Sequence, residues 1–190
     1  MSGRMTISLI SAIACAGAIT PAHAAPPPAK FPVSGKVNST CSLGTGSGAL
    51  LVSTTVPANG KLDPSLEGKT FALSGLYCDA PSIIRLSATE LRRNPPVDKV
   101  PNGQSQAANF TATAVGWSSI AASVTTGETS PSGSAAVFSG TPRLQPSAKT
   151  ANLTVTVGNF TTVVGSNGNG QKLIDGPYSA TITVSLTPGS

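Results

Sequence analysis

The sequence predicts an all-β fold, an antiparallel β-sandwich, and three observations carry that expectation. Turn formers are abundant, with 20 Gly and 16 Pro in 190 residues, which disfavours long helices. Short runs of Val, Ile, Leu, Ala and Thr recur between Gly, Pro and Asn clusters at the spacing expected of sandwich strands. Two late segments, Leu153–Val157 and Ala180–Leu186, alternate aliphatic and hydroxyl residues strictly, so one face of each suits a core and the other suits water.

Taken in chain order, residues 1–24 read as a secretory signal peptide. Arg4 supplies the positive start, Thr6 to Thr20 carries no charge, and Ala22 and Ala24 give the small residues of a cleavage site. The apolar run is shorter than the roughly 20 residues that cross a bilayer, so no retained transmembrane helix is expected. A lipoprotein signal ending at Cys15 is the rival reading, but Ala12 stands where such signals carry Leu. Residues 25–30 form a Pro-rich arm containing Pro26, Pro27 and Pro28, and residues 31–190 are the sandwich domain.

Phe31 to Cys41 opens that domain as a strand, with Phe31, Val33, Gly35 and Val37 on one face. Further strands are expected at Ala49–Val56, Phe71–Cys78, Ser82–Ala88, Ala108–Trp117, Ile120–Val124 and Ala135–Phe138, before the two alternating segments. Turn formers separate them at Pro57–Gly60, Asp79–Pro81 and Pro131–Gly133, and Gly165–Gly170 reads as a loop.

The chemistry available is narrow. Charged residues are 10% of the chain, against about 25% in an average domain. Removal of the leader takes away Cys15 and His23, the sole histidine, which excludes Ser-His-Asp and Cys-His catalysis and histidine-ligated metals. Gln171 follows Gly170 where a phosphate-cradling loop needs Lys. Asp63 and Glu67 are the one close pair of carboxylates and read as surface charge. The expectation is therefore no enzyme, no cofactor and no metal site. Lys61–Lys69 and Leu91–Lys99, with Arg92 and Arg93, lack interleaved aromatics and read as solvated loops, so no nucleic-acid partner is expected. Asn38, Asn109, Asn152 and Asn159 begin Asn-x-Thr triplets that could accept N-glycans in a glycosylating cell, yet three of the four fall within expected strands, where Asn and Thr fill the wet face. Cys41 and Cys78, even in number in an exported chain, pair naturally as a disulfide worth about 4 kcal/mol, the other reading being two separate buried thiols.

The stretch Phe31 to Cys41, then Cys78 closing the Phe71 to Tyr77 run, then Gly176, Pro177 and Tyr178 opening a final alternating strand, resembles the subunits of bacterial chaperone-usher pili. The likeness is to the archaic branch, the spore coat protein U and Csu-type fimbrial group. The resemblance implies an immunoglobulin-like sandwich lacking one strand and completed by a donated one. It implies Phe31, Val33 and Val37 as the donor strand, and Tyr178, Ile182, Val184 and Leu186 as the lining of the acceptor groove. It further implies like subunits or other pilins as partners, with a periplasmic chaperone and an outer-membrane usher. The function expected is that of an exported structural subunit of a surface fibre, assembling by donor-strand exchange and aiding adhesion or biofilm. It would be periplasmic in transit, then on the cell surface or secreted. The arm before Phe31 is short and proline-bearing, which leaves an alternative: a self-complete secreted sandwich that binds a glycan or surface ligand, with Trp117 as the stacking residue if it is exposed, although Trp117 ends an apolar run and reads first as a core residue.

Export with cleavage after Ala24 predicts that N-terminal sequencing of the secreted protein reads from Ala25; an intact Met1 in the exported fraction contradicts it.

Overall fold

Alternation with period two writes the strands of this protein. In the computed structural model, which describes residues 39–44, 48–127, 135–162 and 172–189, buried and less buried residues alternate along most strands of the sandwich. The leader, the Pro-rich arm, the proposed donor residues Phe31, Val33 and Val37, and the Gly165–Gly170 loop lie outside the described residues.

Thirteen strands occur among the described residues: β1 (Cys41–Ser42), β2 (Ala49–Val56), β3 (Thr70–Cys78), β4 (Ser82–Thr89), β5 (Leu91–Arg93), β6 (Gln104–Ser105), β7 (Ala107–Val115), β8 (Ala122–Thr125), β9 (Val137–Ser139), β10 (Arg143–Gln145), β11 (Lys149–Thr162), β12 (Lys172–Leu173) and β13 (Gly176–Pro188). They form an all-β antiparallel sandwich; the short β6–β12 pair is parallel. One layer runs β1, β3, β11, β7, β8, and the other runs β2, β13, β4, with β9 and β10 sharing the far edge of β4. The chain passes between layers at Glu90. Beyond it β5 still follows β13, pairing Tyr178 with Arg93, and at the same time pairs Leu91 with Ala108 of β7.

The core lies between the layers. Leu73, Leu76, Phe110, Ala112, Leu153, Val155 and Val157 from the first layer are buried together with Val52, Val56, Ile84, Leu86, Tyr178, Ala180, Ile182 and Val184 from the second. The many alanines keep side chains short, and Phe110 fills space against Phe160 with ring centroids 5.6 Å apart. The disulfide joins Cys41 to Cys78 where β1 pairs with β3, with Cα atoms 4.2 Å apart.

Several boundaries differ from expectation for physical reasons. The strand expected at Leu153–Val157 extends to fourteen residues, because two register shifts, at Ala151/Leu153 and Gly158/Thr161, let it pair with β3 and β7 in succession. The side chain of Asn152 serves the first shift by accepting the N–H of Gly75 at 3.1 Å. Leu91–Arg93, read as the start of a solvated loop, is a buried strand, since β5 is enclosed by β13 and β7. Within Lys61–Lys69, the short 3-10 turn Pro64–Leu66 is capped by Asp63 and drives Leu66 into the core.

Ile182 is fully buried, so Ile182→Ala should cost about 2–5 kcal/mol, whereas Thr183→Ala on the wet face of β13 should cost less than about 1 kcal/mol, both read from urea midpoints. Equal losses would mean that β13 does not separate core from water.

Candidate functional site

The candidate position is the side of β2 that faces away from β13. β2 pairs with β13 from Ala49 opposite Thr183 to Val56 opposite Gly176, and no strand among the described residues lies on its other side. The direction of its backbone groups follows from two hydrogen bonds. The Val184 N–H donates to Gly48 O, so even-numbered residues of β13 face β2; the Thr181 N–H donates to Thr89 Oγ1, so odd-numbered ones face β4. In the observed register, Leu50, Val52, Thr54 and Val56 therefore bond to β13, and Leu51, Ser53 and Thr55 turn their N–H and C=O groups outward.

This edge lacks the usual protection. Ala49–Val56 contains no charge and no proline, the devices by which edge strands avoid pairing with other chains, and Leu51 on it is 62% exposed. At its far end, Thr55, Pro57, Leu62 and Pro64 border a depression of about 420 Å³.

The residues expected to line an acceptor groove take these places. Tyr178, Ile182 and Val184 are buried in the core, and β2 covers the side of β13 along which they lie. Leu186 is partly buried, packed on the core in the last stretch of β13, where the described pairing is with β4 alone. The Thr40 N–H and Oγ1 bond Asp79, while the Gly189 N–H bonds Pro81 O. Thr40 and Gly189, near the two limits of the described residues, thus meet the same turn, Asp79–Pro81.

Trp117 is 1% exposed, with its indole N–H donating to Ser82 Oγ at 3.1 Å and Lys149 Nζ 5.9 Å from its ring centre. It is a core residue and offers no face for stacking. Asp63 and Glu67 each serve the local fold. Asp63 Oδ1 accepts the Ser65 N–H, and the hydrogen bonds from Ser65 hold its carboxyl below the ordinary value; Glu67 Oε1 accepts the Asn159 N–H at 2.8 Å. Among the described residues no group of three or more His, Cys, Asp or Glu is placed to hold a metal ion, and no helix is long and apolar enough to cross a membrane.

A buried polar cluster at the layer crossing escaped the sequence reading. Glu90 is fully buried and accepts the Arg92 Nε–H at 2.7 Å, while its Oε2 has no hydrogen-bond partner among the described residues. The Tyr178 O–H donates to Ile174 O at 2.9 Å and lies 3.3 Å from Ser105 O. A signal existed: Glu90 and Arg92 are two residues apart, which on a strand places both side chains on one face. No family model matches the chain, and no curated protein matches it.

Burial pushes the Tyr178 phenol up from its ordinary value near 10 to about 12, with the positive charge of Arg93 opposing the rise. Below the unfolded value both states keep the proton and the full contribution is present. Between about pH 10 and 12 the unfolded chain ionises first, so stability should fall through this window. A Tyr178→Phe variant should lose less stability over the same window in alkaline urea titrations; identical slopes would show that Tyr178 is not the group responsible.

Proposed function

We propose that this chain is an exported structural subunit of a surface fibre, joined to like subunits by addition of a β-strand to the β2 edge. The observation that carries the proposal is that edge: eight residues long, uncharged, free of proline, with the backbone groups of Leu51, Ser53 and Thr55 turned outward. Strand addition satisfies such groups with main-chain hydrogen bonds, and the alternate side chains of the incoming segment set specificity.

The segment Phe31–Asn38 has the matching pattern. Residues directly opposite in a sheet share a face, and Leu50, Val52, Thr54 and Val56 face inward on β2. An incoming Phe31–Asn38 with Phe31, Val33, Gly35 and Val37 on that same inward side would keep Ser34, Lys36 and Asn38 in water. Pro32 would then stand opposite an outward-facing residue of β2 and withhold one donor, leaving Ser34 and Lys36 to supply theirs. The Cys41–Cys78 link ties the root of that segment to β3, so that pulling on a donated strand loads a covalent bond. By the pilin resemblance, a periplasmic chaperone would hold the edge before assembly and an outer-membrane usher would pass the subunit outward.

One observation favours the second reading, a self-complete secreted binding module. β2 already covers β13 from Gly176 to Thr183, so the last strand has a neighbour on both sides without help from another chain. The two readings part on what β2 does next.

Ser53→Pro removes an outward-facing donor and leaves the bonds from β2 to β13 in place. The wild-type protein should form ladders of linked subunits on gels, and both Ser53→Pro and a deletion of Phe31–Asn38 should give folded monomers only. Ladders that persist in both variants, or a wild type that never leaves the monomer on concentration, would remove the fibre reading.

A further inference from the structure

On the outward face of the first layer, where β7 and β11 run side by side, lies a depression of about 200 Å³ lined by Thr111, Thr113, Thr156, Gly158, Asn159 and Glu67. It is far from accidental in its construction. Thr156 sits directly opposite Thr113, and Gly158 directly opposite Thr111. The register shift after Gly158 sets Asn159 in the left-handed region, at φ 55°, a conformation that non-glycine residues seldom adopt. Glu67 reaches over from the loop before β3, and its Oε1 accepts the Asn159 N–H at 2.8 Å. A Cβ at Gly158 would stand 2.5 Å from that same oxygen, so a residue without a side chain is needed for the carboxylate to lie there.

Several polar groups that are open to solvent border the depression. The hydroxyls of Thr113 and Thr156, the Oε2 of Glu67 and the side-chain amide of Asn159 have no hydrogen-bond partner among the described residues. Among the described residues the ion pair is Arg92 with Glu90, so Glu67 borders the depression without an ion-pair partner.

We infer that this depression is a binding site for a neutral saccharide ring. Two threonine hydroxyls and a primary amide each both donate and accept, and the free carboxylate oxygen accepts from a hydroxyl. A ligand matched to that set presents several adjacent hydroxyls. An anion would meet the charge of Glu67 with no compensating cation, and an apolar ligand would strip water from four polar groups without replacing it. Directly opposed threonines on antiparallel strands have Cα atoms about 4.5–5.5 Å apart, a span that neighbouring hydroxyls of one sugar ring can bridge. No aromatic side chain lines the depression, so affinity is expected in the millimolar range, set by hydrogen bonds. This inference stands on the monomer and does not require fibre assembly.

The test is an amide NMR titration of the mature, monomeric protein with free glucose, galactose, mannose, rhamnose and N-acetylglucosamine. At least one sugar should shift the amides of Thr113, Thr156, Gly158 and Asn159 and saturate in the millimolar range. Thr113→Val with Thr156→Val keeps shape and β-branching while removing both hydroxyls. It should weaken binding at least about tenfold with the spectrum otherwise unchanged. Glu67→Gln should also weaken it, and covers the case in which the double variant fails to fold. Absence of saturable shifts for every sugar, shifts centred elsewhere on the surface, or unchanged affinity in the folded variants would overturn the assignment.

Discussion

The structure depends on β13 being enclosed. Its inward residues Tyr178, Ala180, Ile182 and Val184 sit at the centre of one layer, with β2 on one side and β4 and β5 on the other. All of its partners precede it by more than eighty residues, so the apolar faces of β2 and β4 cannot be fully covered until the end of the chain arrives. Non-local pairing of this kind is slow to form and leaves strand edges exposed meanwhile. That physical circumstance is one in which a holding partner during export would matter, and it bears on the fibre reading independently of any likeness to pilins.

The layer crossing at Glu90 is where the fold departs from a simple stack of two sheets. To continue along β13 and also reach β7, the chain turns through a buried segment, and Glu90 and Arg92 enter the interior as a pair. A buried ion pair gives little net stability compared with apolar residues of the same volume, but loss of one partner leaves a charge stranded. The pair therefore acts as a constraint on geometry: it tolerates the crossing it was built for and penalises others. Tyr178, Ser105 and Ile174 extend the same polar seam to the end of β12.

Both outer faces are dressed in hydroxyls. Along β13 the outward positions are Ser179, Thr181, Thr183, Ser185 and Thr187, and on the first layer β7 and β11 contribute Thr111, Thr113, Thr154 and Thr156. With so few charges, neither like-charge repulsion nor strong hydration opposes close approach of another surface. The two proposals draw on this surface: another strand at the β2 edge, and a hydroxyl-rich ligand beside Glu67. The exposed carboxylate there and the left-handed backbone of Asn159 mark a place on that face where the regular pattern is interrupted.

Alternation along the chain determined much of this protein before any fold was considered. The all-β class, most of the strands, the inward faces of β11 and β13, and the pairing of two cysteines were all legible, because each rests on neighbours two residues apart or on a count of two. The extent of β11, the burial of Leu91–Arg93 and the depression beside Glu67 were not. Each depends on which distant strand lies alongside, and on bulges that reset the register where a residue such as Asn152 or Gly158 permits it. Whether β13 has a neighbour on its free side was equally hidden: period two says which face of a strand is wet, and it is silent about which edge another strand will occupy.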